Sequence, residues 1–156
     1  MKDKEKAINY FERGLQAYKS RNFALATNCF VEVTKLCPKE GNPWYNLGVA
    51  LKRMGQKKEA LEAFDKTLLK YEEAIKLDSK SKIAWYAKAT ALIEKWLILN
   101  DLVMYKEAIY ALDKALELDP DFDIAHRCKE RLEFKLALED LKRKESNTTI
   151  LYTTTD

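Results

Sequence analysis

The 156-residue chain is poor in the residues that break helices, with only four glycines and three prolines. Glycine and proline are the two residues least compatible with helix interiors, so most of the chain is free to form helix. Apolar residues make up 47% of the sequence and charged residues 34%, a balance typical of a helical domain built around a buried core. The composition therefore favours a single all-α domain.

Cysteine and histidine are equally scarce, with three cysteines and one histidine. Cys29, Cys37, Cys128 and His126 lack the C-x2-C type of spacing that zinc sites require. An odd number of cysteines without framework spacing is typical of a reducing compartment, so we expect a cytoplasmic protein. Neither a metal nor another cofactor is predicted.

Sequence motifs of catalysis are absent. The chain contains no phosphate-binding loop, no G-x-S-x-G and no H-E-x-x-H. His126 stands beside Arg127 at a charged helix start, which favours a solvated histidine over a catalytic one. Acid–base groups such as Glu72, Glu73 and Lys76 are most simply solvated helix faces. We predict that the protein is not an enzyme.

Long apolar runs and a strong excess of one charge are also missing. The most apolar stretch, residues 96–104, contains Asp101 and is far shorter than the roughly 20 residues that span a bilayer. The N-terminal residues MKDKEKAINY lack the apolar centre of a secretory signal. The formal net charge is only +3, with both signs interspersed. Neither a membrane nor a nucleic acid is therefore predicted as a partner.

A spaced pattern does occur in residues 41–64, GNPWYNLGVALKRMGQKKEALEAF. It returns 34 residues earlier, where an aromatic residue, a glycine, an alanine and a phenylalanine occupy corresponding positions. It returns again 41 to 48 residues later in a less complete form. The members are Trp44, Leu47, Gly48, Leu51, Ala60 and Phe64, then Tyr10, Gly14, Ala26 and Phe30, then Trp85, Leu92, Ala108 and Leu112.

This pattern resembles the tetratricopeptide repeat, a helix–turn–helix unit of 34 residues with the signature W-x2-L-G-x2-Y…A-x3-F. The resemblance implies antiparallel helix pairs stacked in a right-handed α-solenoid superhelix. We expect one domain over residues 1–143, with repeats at about 7–40, 41–81 and 82–122 and a capping helix at about 123–143. Residues 144–156 lack a helical period and are predicted to be a disordered tail.

The two later repeats exceed 34 residues, and the mismatches are multiples of seven. Residues 64–70, FDKTLLK, are followed by 71–77, YEEAIKL, which read as the same heptad again. Seven residues are two helical turns with a drift of about 20°, so an inserted heptad keeps the buried face buried. This predicts an elongated central hairpin, in which a helix of about 57–77 packs antiparallel against one of about 82–99. Asn100 and Asp101 would form the next turn, with Asp101 as N-cap; part of the second excess is alternatively placed in the following helix.

Three glycines have places that the repeat explains. Gly14 and Gly48 share one mid-helix position, where a side chain would prevent close packing of the paired helix. Gly55 falls at a helix C-terminus, where a left-handed residue is needed.

The resemblance also implies the function of a non-catalytic protein–protein interaction scaffold or adaptor. In such arrays the first helices of successive repeats line a concave groove that holds a peptide or helix of a partner. An aromatic ladder with a polar rim favours a mainly apolar segment; the groove carries few cations, which argues against RNA. Phe11 is equally compatible with packing between helices. The groove residues carried over are Phe11, Leu15, Tyr18, Asn42, Tyr45, Asn46, Val49, Arg53, Tyr86, Ala87, Thr90 and Glu94.

One subclass of the family is predicted not to apply. Chaperone adaptors hold the terminal carboxylate of chaperone tails with a clamp of two asparagines and three cations. The corresponding residues here are Phe11, Leu15, Asn46, Ile83 and Ala87. A carboxylate bound there would lose water without meeting a cation. We therefore expect no chaperone tail as partner.

A second surface is predicted on the capping helix. Ile124, Ala125, Cys128, Leu132 and Leu136 form a stripe that would cover the last repeat. Phe134, Leu138 and Leu141 form another, about 160° away. This second stripe is either lightly exposed without a role or a contact surface. The alternative to a monomeric binding module is thus a self-assembling structural component, joined through the long hairpin, the capping helix or the tail.

Overall fold

The computed structural model describes the backbone of residues 2–153 and the side chains of residues 2–145. This part of the chain forms seven helices and no strand. They are α1 (Lys2–Lys19), α2 (Phe23–Leu36), α3 (Gly41–Arg53), α4 (Lys57–Leu77), α5 (Lys82–Leu99), α6 (Leu102–Leu118) and α7 (Asp123–Thr153). Each helix packs against the next one along the chain. Among the described residues, no helix has the length and apolarity needed to cross a membrane.

The paired helices lie close together because a glycine faces a phenylalanine in each of the first two pairs. A Cβ atom built on Gly14 would lie 2.7 Å from the Phe30 ring, and one on Gly48 would lie 2.6 Å from the Phe64 ring. Both phenylalanines are fully buried. The predicted role of the two glycines is confirmed.

Helix ends are set by the polar residues that the sequence places there. Asn22 caps α2 by accepting a hydrogen bond from the Leu25 amide at 3.1 Å. Asp101 caps α6, as predicted, by accepting one from the Val103 amide at 2.8 Å. Gly55 has φ +79° after α3, which confirms the predicted left-handed position.

The long hairpin of α4 and α5 is confirmed, with 21 and 18 residues. Asp65 pairs with Lys95 at 2.5 Å, and Glu72 pairs with Lys88 at 2.9 Å. As one residue number rises the other falls by the same amount, so the two helices run antiparallel. The inserted heptad also reaches α3, because a Cβ atom on Gly41 would lie 2.7 Å from the Tyr71 ring.

The residues by which the third repeat exceeds the usual 34 are shared between its two helices, α5 and α6. α5 has 18 residues against 13 in α3, and α6 has 17 against 14 in α2. Each helix is thus longer by about one turn. Extending both members of the pair keeps the buried Trp96 of α5 covered by Tyr105 of α6, with ring centroids 5.6 Å apart.

α7 covers the third repeat, as predicted, with Ala125 and Leu132 buried. Ile124 of the same stripe is 43% exposed instead. The prediction of a disordered tail from residue 144 is corrected for 144–153, which continue α7 to Thr153. A helix that is already nucleated gains one hydrogen bond for each residue added. Residues 154–156 of the predicted tail lie outside the described residues. At the other end, α1 begins at Lys2, five residues before the predicted start of the first repeat.

Candidate functional site

A recess opens between α3, α5 and α7. It consists of two adjoining cavities of about 430 Å³ each. Tyr45 of α3 and Tyr86 and Thr90 of α5 line both cavities. These three residues, all predicted as groove residues, therefore form the junction of one continuous recess.

The two cavities differ in chemistry. The first is lined by Ile93, Leu97 and Phe134, together with the charged side chains of Glu94, Arg131 and Lys135. The second has no charged residue in its lining. Its walls are Asn42, Tyr71, Ile83, Ala87, Phe122 and Ile124, besides the three shared residues. The recess thus combines an uncharged, aromatic end with an end that carries charge.

Both shared tyrosines are held by aromatic neighbours. The Tyr45 ring packs on Phe64 with centroids 6.0 Å apart, and the Tyr86 ring packs edge-on against Phe122 at 5.5 Å. Burial raises the pKa of Tyr45 strongly, and the negative charge of Glu94 adds to this effect. Burial also raises the pKa of Tyr86. Both phenols are therefore neutral at physiological pH.

The single acidic side chain in the lining is neutralised within the protein. Glu94 forms an ion pair with Lys52 of α3. The pKa of the nearby Arg53 guanidinium is raised, mainly by its hydrogen bond with Tyr18 and also by the negative charge of Glu94. Its Nε donates a hydrogen bond of 3.1 Å to the Tyr18 hydroxyl. The Glu94 carboxylate of α5, paired with Lys52 of α3, therefore adds no net negative charge to the recess.

The remaining predicted groove residues lie elsewhere. Phe11 packs edge-on against Phe30 at 5.9 Å, and Tyr18 packs on Phe23 at 5.3 Å. Leu15 lines a separate shallow cavity on α1. Asn46 donates its amide hydrogen bond to the Asn42 carbonyl of its own helix at 2.9 Å, and Val49 packs against the core of the first two repeats.

The part of the recess that α7 forms was not predicted. Phe134 was named in the sequence analysis, but as part of a second surface. Arg131, Lys135 and Cys128 of α7 line the first cavity, and the charge of Arg127 acts on Tyr86. Arg127, Arg131 and Lys135 are four residues apart, which places them on one helix face. This spacing could have indicated from the sequence that α7 has a basic face. The prediction of few cations concerned the groove lined by the first helices and did not consider α7, which adds Arg131 and Lys135 to the recess.

The described residues hold no cluster of three or more histidine, cysteine, aspartate or glutamate side chains suited to a metal ion. His126 lies at the start of α7, where its Nε2 is 2.7 Å from the Pro120 carbonyl oxygen. The three cysteines are not joined by disulfides.

Stacked antiparallel helix pairs with a recess beside their first helices define a helical-repeat protein of the α-solenoid class. Residues 41–74 match the tetratricopeptide repeat family. The chain therefore contains a tetratricopeptide repeat, and its overall fold is that of tetratricopeptide repeat domains. The all-α prediction of stacked helix pairs is confirmed. No curated protein matches the chain.

Solved structures of such domains superpose on most of the chain. The tetratricopeptide repeat domain of Arabidopsis OM64 is 26% identical, with 83% of this chain and 96% of that domain covered and a TM-score of 0.53. The TPR2B domain of yeast Sti1, in a complex with an Hsp70 peptide, is 22% identical over 86% and 98%, with a TM-score of 0.58. The second such domain of human RPAP3, bound to the HSP70 peptide SGPTIEEVD, is 18% identical over 84% and 98%, with a TM-score of 0.55.

Proposed function

We propose that this chain is a non-catalytic scaffold or adaptor, whose recess between α3, α5 and α7 holds a mainly apolar segment of a partner protein in the cytoplasm. The observation that carries the proposal is the meeting of two cavities at Tyr45, Tyr86 and Thr90. Aromatic side chains in a partly desolvated recess are the usual anchors of peptide recognition. The peptide complexes of yeast Sti1 and human RPAP3 are consistent with this use of the fold.

The partner differs from the chaperone tails named in those complexes. Ile83 lines the second cavity and Ala87 lies one helical turn further along α5, both at positions where a carboxylate clamp needs cations. Phe11 packs into the first helix pair. A terminal carboxylate would therefore find apolar groups at the clamp positions.

Thr90 is the best position at which to test the recess. It is half-buried at the junction of the cavities, so Thr90→Trp fills both without removing a packed ring or adding a charge. We expect this variant to lose partners captured from a lysate of the source cell, quantified by mass spectrometry, by at least about tenfold. Asn28→Trp, at an exposed position of α2, adds the same side chain elsewhere and should capture them normally. Equal capture by both variants would place the binding site outside the recess.

Self-assembly is the second candidate, favoured by the exposure of the outer stripe of α7. Phe134 is 71% exposed, Leu138 41% and Leu141 57%. If this stripe joins two copies, the mass measured by light scattering should rise with concentration. Leu138→Glu combined with Leu141→Glu should then restore the monomer, since it would place carboxylates in the contact. A constant monomeric mass of the unaltered chain would exclude this candidate.

A further inference from the structure

We infer that the segment held in the recess is acidic as well as apolar, and that its carboxylates are bound by Arg131 and Lys135 of α7. This inference rests on the proposed function and adds the chemistry of the partner. It places acidic side chains of the segment at the first cavity and apolar side chains in the second.

Arg131 and Lys135 of α7 have no acidic partner within the described part of the chain. Arg131 forms no ion pair there, although Glu130 and Glu133 are close in sequence. Lys135 places its ammonium 5.7 Å from the centre of the Trp96 ring instead of against a carboxylate. Other lysines that line helix interfaces are paired, as Lys52 is with Glu94 and Lys129 is with Asp113. Arg131 and Lys135 thus place two unpaired, solvent-exposed cations at the wall of the first cavity, where the carboxylates of a ligand can match them.

The first cavity also has polar groups without a hydrogen-bond partner. The hydroxyls of Tyr45 and Tyr86 have no protein partner among the described residues, and the indole nitrogen of Trp96 is buried without one. The carboxylate of Glu94 is occupied by Lys52, and the hydroxyl of Thr90 donates to the Ala87 carbonyl at 2.8 Å. Tyrosine hydroxyls can donate to an acceptor of the occupant, and the ammonium of Lys135 and the guanidinium of Arg131 can only donate, so an occupant that supplies acceptors is favoured.

The second cavity determines that the occupant is a polypeptide with apolar side chains. Its lining includes Ile83, Phe122 and Ile124 and no charged residue. Ile83 and Ile124 remain 57% and 43% exposed, so apolar surface is available to be covered. A free anion or a phosphate chain would leave this half of the recess unfilled.

The test is selection from a random peptide library displayed on phage, with the full chain as target. Peptides retained by the unaltered chain and rejected by Thr90→Trp are those that occupy the recess. We expect them to be enriched in aspartate and glutamate beside large apolar residues. With Arg131→Glu and Lys135→Glu combined, the binding of these peptides should weaken by at least about tenfold, and a new selection should favour lysine and arginine.

The matched control is Lys66→Glu combined with Lys106→Glu, which changes the net charge equally at two exposed positions on α4 and α6. It should leave the selected peptides bound within about twofold. Recess-dependent peptides without acidic enrichment would overturn this inference and leave the proposed function intact. The absence of any Thr90-dependent peptide would overturn both. A mixed-sequence single-stranded RNA that binds more tightly than the peptides, and loses binding in the Arg131 and Lys135 variant, would replace the polypeptide by a nucleic acid.

Discussion

Gly48 illustrates how one absent methyl group sets the spacing of a helix pair. It lies in the middle of α3, where alanine is the better helix former by about 1 kcal/mol. A Cβ atom there would stand 2.6 Å from the buried Phe64 ring, and overpacking of this kind costs about 1–3 kcal/mol. Because the clash exceeds the gain in propensity, Gly48→Ala should lower the unfolding free energy by about 1 kcal/mol or more, measured by urea denaturation.

The control for Gly48→Ala is a double-mutant cycle with Phe64→Leu, which shortens the ring that the methyl group meets. The combined variant should be more stable than the sum of the two separate losses predicts. Additive losses, or a stabilising Gly48→Ala, would show that the two helices are not held in direct contact at this point.

The raised pKa of Tyr45 leads to a prediction for the stability of the protein at alkaline pH. Burial and the charge of Glu94 raise the pKa of its phenol above the ordinary value, which is about 10. Above that pH the unfolded chain loses the proton while the folded chain keeps it, so the unfolding free energy falls as the pH rises. Below about pH 9 this group should not affect the pH dependence of stability.

Tyr45→Phe should therefore make the alkaline loss of stability less steep, as followed by urea midpoints between about pH 8 and 11. Tyr71 and Tyr86, whose pKa values burial also raises, would account for part of the remaining loss. Tyr110→Phe, at a side chain that is 56% exposed, is the matched control. An identical alkaline slope for Tyr45→Phe and the unaltered chain would contradict the buried placement of this phenol.

At the scale of the helices, the sequence alone was enough where a residue pattern had one structural solution. The bounds of α4 and α5 follow from the repeated heptad, and the start of α6 follows from Asp101. The sequence leaves two alternatives for the division of the third repeat's excess, because residues 96–104 contain no glycine or proline and only Asn100 and Asp101 indicate the turn. The end of α7 was missed because a nucleated helix propagates through residues that show no amphipathic period.

The site was predicted in part for a similar reason. Tyr45 and Tyr86 share one repeat position, which determines the face of the array that they line, and Thr90 lies one turn after Tyr86 on the same face of α5. Phe11 and Tyr18 occupy the same face in the first repeat, but Phe30 and Phe23 stand within ring contact and bind them locally. The wall formed by α7 depends on the angle at which that helix packs on α6, and no residue pattern specifies such an angle.

The heptad argument can be tested on α4 itself. Deletion of residues 71–77 removes the last two turns of α4 and leaves the phase of residues 57–70 unchanged, so the buried faces of α4 and α5 can still meet. We expect a cooperative fold of lower stability, since the contact of Tyr71 with Gly41 and the pair of Glu72 with Lys88 are lost. Deletion of residues 66–70 instead rotates residues 71–77 by about 140° relative to the start of α4, which turns Tyr71 and Glu72 away from their partners, and should abolish cooperative unfolding, monitored by circular dichroism in urea. Equal behaviour of the two deletions would show that helix phase does not determine this packing.

For the whole molecule, the side chains form two cores. One is centred on Phe30 and Phe64 and is built from α1 to α4, and the other is centred on Leu92 and Trp96 and is built from α5 to α7. Leu68 of α4 packs against the second core and Ile98 of α5 against the first. The long hairpin therefore joins two units, and the recess lies at their boundary, where Tyr45 belongs to one unit and Tyr86 to the other.

Stability in such an array is a sum of local and nearest-neighbour contributions, so damage to one core should remain largely local. Leu132 is buried in the second core at 4% exposure and Leu47 in the first at 6%. Each change to alanine should cost about 2–4 kcal/mol where it occurs. In native-state hydrogen exchange, Leu132→Ala should reduce the protection of α6 and α7 more than that of α1 to α3, and Leu47→Ala should do the reverse. If both variants lowered protection evenly along the chain, the two cores would form one cooperative unit, and the hairpin would transmit the full loss instead of separating the halves.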